Sequence, residues 1–119
     1  MFTQKELEYI DEQILARIGT VSDDRIPDVV PVGYDFDGTS FFVGGRNNKN
    51  TLKYQNVARG NTDVTMVIDS LESVRPWVVK GLKIYGKAEI VDYDGYAGPG
   101  KYIRVKPTRK RSWGINANS

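Results

Sequence analysis

The residues with the clearest chemical potential lie in the stretch 41–56. An apolar strand leads there into Gly44 and Gly45, then through a polar loop into a short helix. A strand that ends in a glycine-rich loop before a helix collects unpaired backbone N–H groups and the positive end of the helix dipole. Thr51 adds a hydroxyl and Lys53 adds a positive charge. The stretch therefore predicts a cradle for a phosphate group.

A simpler interpretation of this stretch is equally open. The two glycines can serve a hairpin corner that needs their conformational freedom, and the helix after them can be a solvated surface helix. The spacing matches neither the dinucleotide-binding fingerprint nor the Walker loop. Local chemistry alone supports the two interpretations about evenly.

The composition excludes several kinds of active site. The 119 residues include no cysteine and no histidine. Without cysteine there is no disulfide and no thiolate metal site. Without histidine the chain lacks the commonest general base and metal ligand, which excludes a Ser-His-Asp triad and ordinary zinc hydrolysis. We therefore expect no metal centre, and we expect any chemistry to depend on a bound organic cofactor.

A second candidate segment is the strand sequence Val30-Pro31-Val32-Gly33. Pro31 cannot donate a hydrogen bond to a neighbouring strand, and Gly33 has no side chain. Such a segment leaves its carbonyl groups and one open face for a flat, apolar group. The alternative is an edge strand that proline protects from aggregation.

The elements that position these residues form a single domain over residues 1–119. Thr3 and Glu6 form a capping box at the start of a helix, and a short second helix ends at Gly60. Seven or so short strands around these helices predict a mainly β protein built as an antiparallel barrel. The predicted helices cover residues 4–15 and 52–59. The predicted strands cover 17–21, 28–36, 40–44, 62–69, 77–91, 101–106 and 111–115, with loops at 71–75 and 92–100.

Charge and hydropathy give little reason to expect nucleic acid or a membrane as partner. The net charge is +2, although positive residues concentrate in the segment 101–111. No apolar run reaches the ~18 residues that a membrane span needs. The first residues lack the apolar region of a signal peptide, so we expect the protein in the cytoplasm.

Five motifs, taken in order, resemble one known family. The first is Ala16-Arg17-Ile18-Gly19-Thr20-Val21 with Pro27 following, the second Val30-Pro31-Val32-Gly33, and the third Lys53-Tyr54-Gln55-Asn56-Val57. The fourth is Pro76-Trp77-Val78-Val79-Lys80-Gly81 with Tyr85-Gly86-Lys87-Ala88-Glu89, and the fifth Ile103-Arg104-Val105-Lys106-Pro107 with Ser112-Trp113-Gly114. The sequence resembles the pyridoxamine 5'-phosphate oxidase-like split-barrel flavoproteins. Within that family it is most similar to the branch named for the deazaflavin coenzyme F-420.

The resemblance implies a six-stranded antiparallel split β-barrel, with an N-terminal helix and one short helix after the third strand. It further implies a homodimer that holds FMN or F-420 in a groove between its two chains. The function it implies is an oxidoreductase that transfers a hydride to or from a small organic substrate.

The resemblance also implies the residues that bind the cofactor. Lys53 and Thr51 match a lysine and a hydroxyl on the cofactor phosphate, and the preceding Asn50 belongs to the same site. The segment Val30 to Gly33 matches the strand along the flavin ring. Lys80 and Gly81 match the partner-strand segment near the ring and tail, and Trp113 matches an aromatic residue close to the cofactor. No residue is nominated as catalytic.

The chain also departs from the family pattern. The pyridoxamine phosphate oxidases end in a motif with His and Arg that this chain lacks, so that particular activity is not expected. The predicted loop 92–100 is too short for a substrate lid. The basic residues Arg104, Lys106, Arg109, Lys110 and Arg111 either face an anionic cofactor tail or solubilise a strand pair.

Two other functions are open. One is a carrier or storage protein that binds the cofactor without turnover. The other, less expected, is a small barrel that binds nucleic acid through residues 101–111, with Tyr102 and Trp113 as stacking platforms.

Overall fold

The computed structural model of the chain describes residues 1–45 and 47–116. It contains two α-helices and seven strands. The helices are α1 (Gln4–Glu12) and α2 (Leu52–Ala58), the latter preceded by a short 3-10 turn at Asn48–Asn50. The strands are β1 (Leu15–Val21), β2 (Pro27–Gly33), β3 (Asp35–Phe36), β4 (Phe41–Val43), β5 (Asp63–Ser73), β6 (Val78–Gly95) and β7 (Gly98–Trp113).

The strands form one antiparallel sheet in the order β2-β1-β5-β6-β7-β4-β3. Its two edge strands, β2 and β3, are consecutive in the chain and are joined by the single residue Tyr34. Because one residue links the opposite edges of the sheet, the sheet must curl until those edges meet. The predicted barrel is thus a consequence of this short connection.

The core lies inside the curled sheet, on side chains that alternate along the strands. The aromatic ring of Phe41 packs there against those of Phe2 and Phe36, with centroids 6.2 Å and 4.5 Å away. The aliphatic part of the core comes from the central strands and includes Ile18, Met66, Ile68, Leu82, Ile84, Ile103 and Val105.

The helix α1 begins as the sequence predicts. The Thr3 hydroxyl accepts a hydrogen bond from the Glu6 backbone N–H at 3.1 Å, and the Thr3 N–H donates to the Glu6 carboxylate at 2.9 Å. The predicted end at residue 15 is wrong, since the helix stops at Glu12. Leu15 already belongs to β1, and both it and Ile14 are exposed, so their apolar spacing does not reflect a helical core face.

The strand count is seven rather than the expected six, and α2 follows the fourth strand rather than the third. The predicted strand 28–36 is divided at Tyr34, where the chain passes from one edge of the sheet to the other. The predicted loop 71–75 is also partly wrong, because β5 continues to Ser73 with a register shift after Leu71.

The predicted loop at 92–100 is instead the tip of a long β6–β7 hairpin, with Gly98 at a positive φ of 81° in the turn. The two predicted last strands are a single strand, β7. Pro107 lies opposite Gly86, next to a register shift in the ladder after Tyr85. Because the ladder is irregular there, β7 continues although proline has no N–H to donate. Neither helix of the described residues is long and apolar enough to cross a membrane.

Candidate functional site

The loop before α2 is held by its own hydrogen bonds. Thr51 caps α2: its hydroxyl accepts from the Tyr54 N–H at 3.3 Å and donates to the Asn48 carbonyl at 2.6 Å. Asn50, the residue before the cap, is exposed. The structure thus places the Thr51 hydroxyl at the start of the helix, as the cradle hypothesis requires, but also gives it a structural role.

Lys53, in the first turn of α2, is the most unusual charged residue of this region. Its relative exposure is 9%, and its ammonium group forms no hydrogen bond or ion pair with the other described residues. Burial lowers the pKa of Lys53, and the nearby charge of Asp28 on β2 only partly opposes that shift. A buried cation without a partner costs free energy. Lys53 therefore departs from the solvated lysine that a simple surface helix would carry.

A cavity of about 330 Å³ lies beside this loop, between the residues around Asn48 and the β6–β7 turn. The Asn48 side chain is buried and donates to the Lys101 carbonyl at 2.9 Å. Its other polar atom, Oδ1, is buried without a hydrogen-bond partner. This oxygen can only accept a hydrogen bond, so it is not a donor for a phosphate in the predicted cradle.

The segment Val30 to Gly33 lies on β2, an edge strand whose ladder partner is β1. Val32 points into the core, whereas Pro31 is exposed opposite Arg17. The structure therefore confirms that this is an edge strand. An edge position is compatible with both interpretations, since an edge protected by proline also leaves one side free for a ligand.

Tyr96, in the β6–β7 turn, is a contact of this segment that the sequence did not indicate. Its hydroxyl donates to the Gly33 carbonyl at 2.9 Å and accepts from the Gly44 N–H at 2.9 Å. Its ring lies 3.1 Å from the position that a Cβ would take at Gly33. Tyr96 therefore ties the end of β2 to the glycines that follow β4, and both are predicted site segments.

Lys80, Gly81 and Trp113 are brought together by the β6–β7 ladder. Gly81 is paired directly with Trp113, and a Cβ at Gly81 would overlap the indole ring, which therefore lies flat against the glycine. The Lys80 carbonyl accepts a hydrogen bond from the Tyr9 hydroxyl at 3.3 Å. Trp113 keeps 38% of its surface exposed. These residues form an aromatic platform on the outside of the barrel.

The predicted site residues thus form two groups within one chain. The first comprises β2 and the start of α2, where Lys53 lies close to Asp28 of β2. The second is the Gly81–Trp113 platform. Three strand intervals separate β2 from β6 in the sheet order, about 14 Å at the usual strand spacing. The single chain does not bring the two groups into contact around one ring.

The basic segment is also divided by the fold. Arg104 and Lys106 both form ion pairs with Glu89, at 3.3 and 3.5 Å. Lys110 points inward and binds the buried Glu6 at 2.7 Å. Arg109 and Arg111 lie on the outer face and are not in these pairs. The carboxylate partners of Arg104, Lys106 and Lys110 favour the alternative of a solubilising strand pair for these three residues, and an anionic tail near the segment stays a prediction.

Comparisons with known proteins place this geometry in a family. No family model matches the chain. A 5a,11a-dehydrotetracycline/5a,11a-dehydrooxytetracycline reductase from Streptomyces rimosus is 33% identical to it over 124 residues, which cover 98% of this chain and 86% of the reductase.

Solved structures share the fold at low sequence identity. The heme storage protein HutZ from Vibrio cholerae superposes with a TM-score of 0.76 at 14% identity, over the whole of both chains. The FAD-binding protein from Mycobacterium smegmatis has a TM-score of 0.70 at 16% identity, covering 95% of this chain and 96% of its own. An F420 reductase has a TM-score of 0.63 at 22% identity, covering 82% of this chain and 89% of its own.

The strand order and the curled sheet define a split-barrel protein. The chain belongs to the pyridoxamine 5'-phosphate oxidase-like split-barrel family. The expectation drawn from the five motifs is confirmed at that level.

Proposed function

We propose that the protein is an oxidoreductase that binds FMN or F-420 at the interface of a homodimer and transfers a hydride to or from a small organic substrate. The reductase relative supports the reaction class, since it aligns with almost the whole chain. The structural observation that carries the proposal is Lys53, a buried cation that lacks a partner within the described chain.

Burial without a partner is costly for Lys53, and a phosphate would remove that cost. A phosphate oxygen within hydrogen-bond reach would give the ammonium the negative partner that Asp28 does not supply as an ion pair. The Thr51 hydroxyl and the exposed amide of Asn50 lie at the same end of α2. These residues fit the phosphate end of a flavin or deazaflavin cofactor.

The need for a second chain follows from the separation of the two groups of site residues. The segment Val30 to Gly33 would support the cofactor ring in one chain. The Gly81–Trp113 platform, with Lys80 beside it, would approach from the partner. A homodimer with two equivalent grooves satisfies both groups because a symmetric interface repeats each contact. The strongly exposed Trp77 and Val74, on the turn between β5 and β6, are further candidates for that interface.

The chemistry of hydride transfer would come from the cofactor, since its ring accepts and releases the hydride. This chain would bind the phosphate, hold the ring against β2 and exclude water with Trp113. Burial raises the pKa of both Tyr9 and Tyr34, so neither phenol is suited to donate a proton at neutral pH. We assign no acid or base to the protein.

The test of the phosphate site is a titration with FMN and with F-420, in wild type and in Lys53→Met. Loss of a charge-assisted contact of about 1.5–3 kcal/mol should weaken binding roughly 10- to 100-fold. Lys49→Met is the matched control, because Lys49 is an exposed lysine on the same loop. Equal affinity in wild type and Lys53→Met would refute the assignment.

The same variant separates function from stability. Because the pKa of Lys53 is lowered in the folded state, its charge opposes folding at neutral pH. We expect Lys53→Met to unfold at the same or a higher temperature than wild type while it loses cofactor affinity. A variant that lost both stability and affinity would indicate a structural lysine instead.

The dimer is tested by light scattering with and without cofactor. We expect a dimer. We also expect Trp113→Ala to weaken cofactor binding although this variant still contains Lys53. A monomer that binds cofactor with full affinity would contradict a shared site.

A carrier or storage role is the second candidate, because the heme storage protein HutZ has the same fold. It predicts binding without turnover: cofactor reduced on the protein would not be reoxidised by a panel of quinones, enones and biliverdin. The nucleic-acid hypothesis loses one of its two stacking platforms, since Tyr102 is 1% exposed and cannot stack on a base, whereas Trp113 is 38% exposed.

A further inference from the structure

Three cations surround one tyrosine on the outer face of the β6–β7 ladder. We call this set, Lys83, Tyr85, Arg109 and Arg111, the cationic cluster. Lys83 is paired directly with Arg111 and Tyr85 directly with Arg109. Like charges in directly opposed positions of a ladder repel each other. The opposed cations therefore destabilise the β6–β7 ladder locally.

The cationic cluster differs from the other cations of β6 and β7 by its lack of counter-ions. Seven ion pairs link lysine or arginine to a carboxylate within the described residues, and none of them uses Lys83, Arg109 or Arg111. Neighbouring cations on the same two strands behave differently, since Lys87 pairs with Asp63 and Lys106 with Glu89. Among the cations of β6 and β7, only the three of the cluster are outside these ion pairs.

The Tyr85 ring holds the cations in place. The Arg109 guanidinium carbon lies 4.2 Å from the ring centroid and the Lys83 ammonium lies 5.3 Å from it. Interaction with Lys83, and then the charges of Arg109 and Arg111, lower the pKa of Tyr85. On the next strand the facing residues are neutral, Val67 opposite Lys83 and Thr65 opposite Tyr85. Neither of these facing residues supplies a negative charge.

The space around the cluster is accessible to a small molecule. A cavity of about 270 Å³ is lined by the four residues of the cluster together with Lys110. The ladder of β4 to β7 covers Ile103 to Val105, so β4 does not reach this part of β7. Lys83 and Arg111 each stand two residues from the Gly81–Trp113 platform on the same face, about 7 Å along the strands.

We propose that the cationic cluster binds a small, multiply charged organic anion through carboxylate or phosphate groups. Two guanidinium groups and one ammonium provide the donors. The planar guanidinium groups can each donate two parallel hydrogen bonds to the oxygens of a carboxylate or phosphate. This site goes beyond the proposed function, because none of its four residues lies on α2 or β2 and it needs no flavin. Its position beside Trp113 indicates that a molecule seated on the platform carries its negative charge toward Lys83 and Arg111.

The experiment is a calorimetric titration of the cofactor-free protein with citrate and, separately, with pyrophosphate at low ionic strength. The variants are Arg109→Gln with Arg111→Gln, and Lys83→Gln alone. The matched controls are Lys87→Gln and Lys106→Gln, which remove paired cations from the same strands. We expect saturable binding that the cluster variants weaken about tenfold or more and the controls leave within about twofold.

A second readout is the titration of the Tyr85 phenol, followed by its phenolate absorbance with Tyr85→Phe as the reference. A bound anion neutralises the cations, so it should raise the pKa of Tyr85 back toward the ordinary value. The comparison of citrate with pyrophosphate distinguishes a carboxylate from a phosphate ligand.

Three results would overturn the proposal. They are the absence of saturable binding in wild type, an equal loss of binding in cluster and control variants, and tight oligonucleotide binding that citrate does not compete. The last result would indicate nucleic acid as the ligand. Flavin binding is measured independently, so loss of the flavin hypothesis would leave this test intact.

Discussion

Replacement of Glu6 by glutamine tests how the first helix is held to the last strand. The Glu6 carboxylate is 0% exposed and accepts hydrogen bonds from Lys110 Nζ at 2.7 Å, Ser112 Oγ at 2.7 Å and Asn116 Nδ2 at 2.7 Å. Burial alone would raise its pKa. The hydrogen bonds outweigh burial and lower the pKa of Glu6 from 4.5 to about 2.

The size of the effect follows from that shift. A pKa lowered from 4.5 to about 2 corresponds to roughly 3 kcal/mol of stabilisation of the charged form. Glu6→Gln removes the charge, leaves Lys110 without its partner and turns an amide N–H₂ toward other donors. We expect a loss of about 3 kcal/mol, which for a domain of this length lowers the unfolding temperature by about 12 °C.

The assay is thermal unfolding by circular dichroism over a range of pH. Because the folded pKa lies below the unfolded value, the stabilisation is complete above about pH 4.5 and is lost as the pH falls toward 2. The difference between wild type and Glu6→Gln should therefore shrink over that interval.

Glu89→Gln is the matched control for this prediction. Glu89 also faces two cations, Arg104 and Lys106, but it is solvent-exposed, so its loss should cost less than about 1 kcal/mol. Equal unfolding temperatures for the two variants, or a Glu6 effect that does not change with pH, would refute the reasoning.

Two further predictions concern the aromatic platform. In Gly81→Ala the new Cβ overlaps the Trp113 ring, so we expect a changed tryptophan emission spectrum and a loss of about 1–3 kcal/mol, whereas Gly100→Ala, which meets nothing within 4 Å, should show neither. Tyr9→Phe removes the hydroxyl that contacts Ser70 at 2.7 Å and the Lys80 carbonyl at 3.3 Å, so urea unfolding should show a loss of about 1 kcal/mol. An unchanged unfolding midpoint in Tyr9→Phe would show that the hydroxyl does not stabilise the Lys80 strand.

The sequence predicts local features of this fold well because they depend on neighbouring residues. The capping box at Thr3 and the helix end at Gly60 are both present. Each needs particular hydrogen bonds or a positive φ within a few residues. The family is also predictable, because its motifs recur in order.

Features that depend on distant partners were missed. Pro107 indicated a break in β7, but only the opposing Gly86 shows that the ladder tolerates it. The contact of Tyr96 with Gly33 spans 63 positions and leaves no local pattern. Likewise, the basic segment could not be divided into paired and unpaired cations until Glu6 and Glu89 were placed. The roles assigned to Lys53 and Trp113 stay predictions until they are tested.

The single-residue link at Tyr34 connects the two edge strands, so closure of the barrel depends on pairing between strands that are distant in the sequence. The hairpins β1–β2 and β6–β7 each pair neighbouring segments of the chain. The barrel, in contrast, closes through the pairing of β4 with β7, which are far apart in the sequence. The loop leading to α2 follows β4 directly, and its Asn48 side chain donates to the Lys101 carbonyl of β7. The pairing that closes the barrel therefore also places the loop that we propose as the phosphate site.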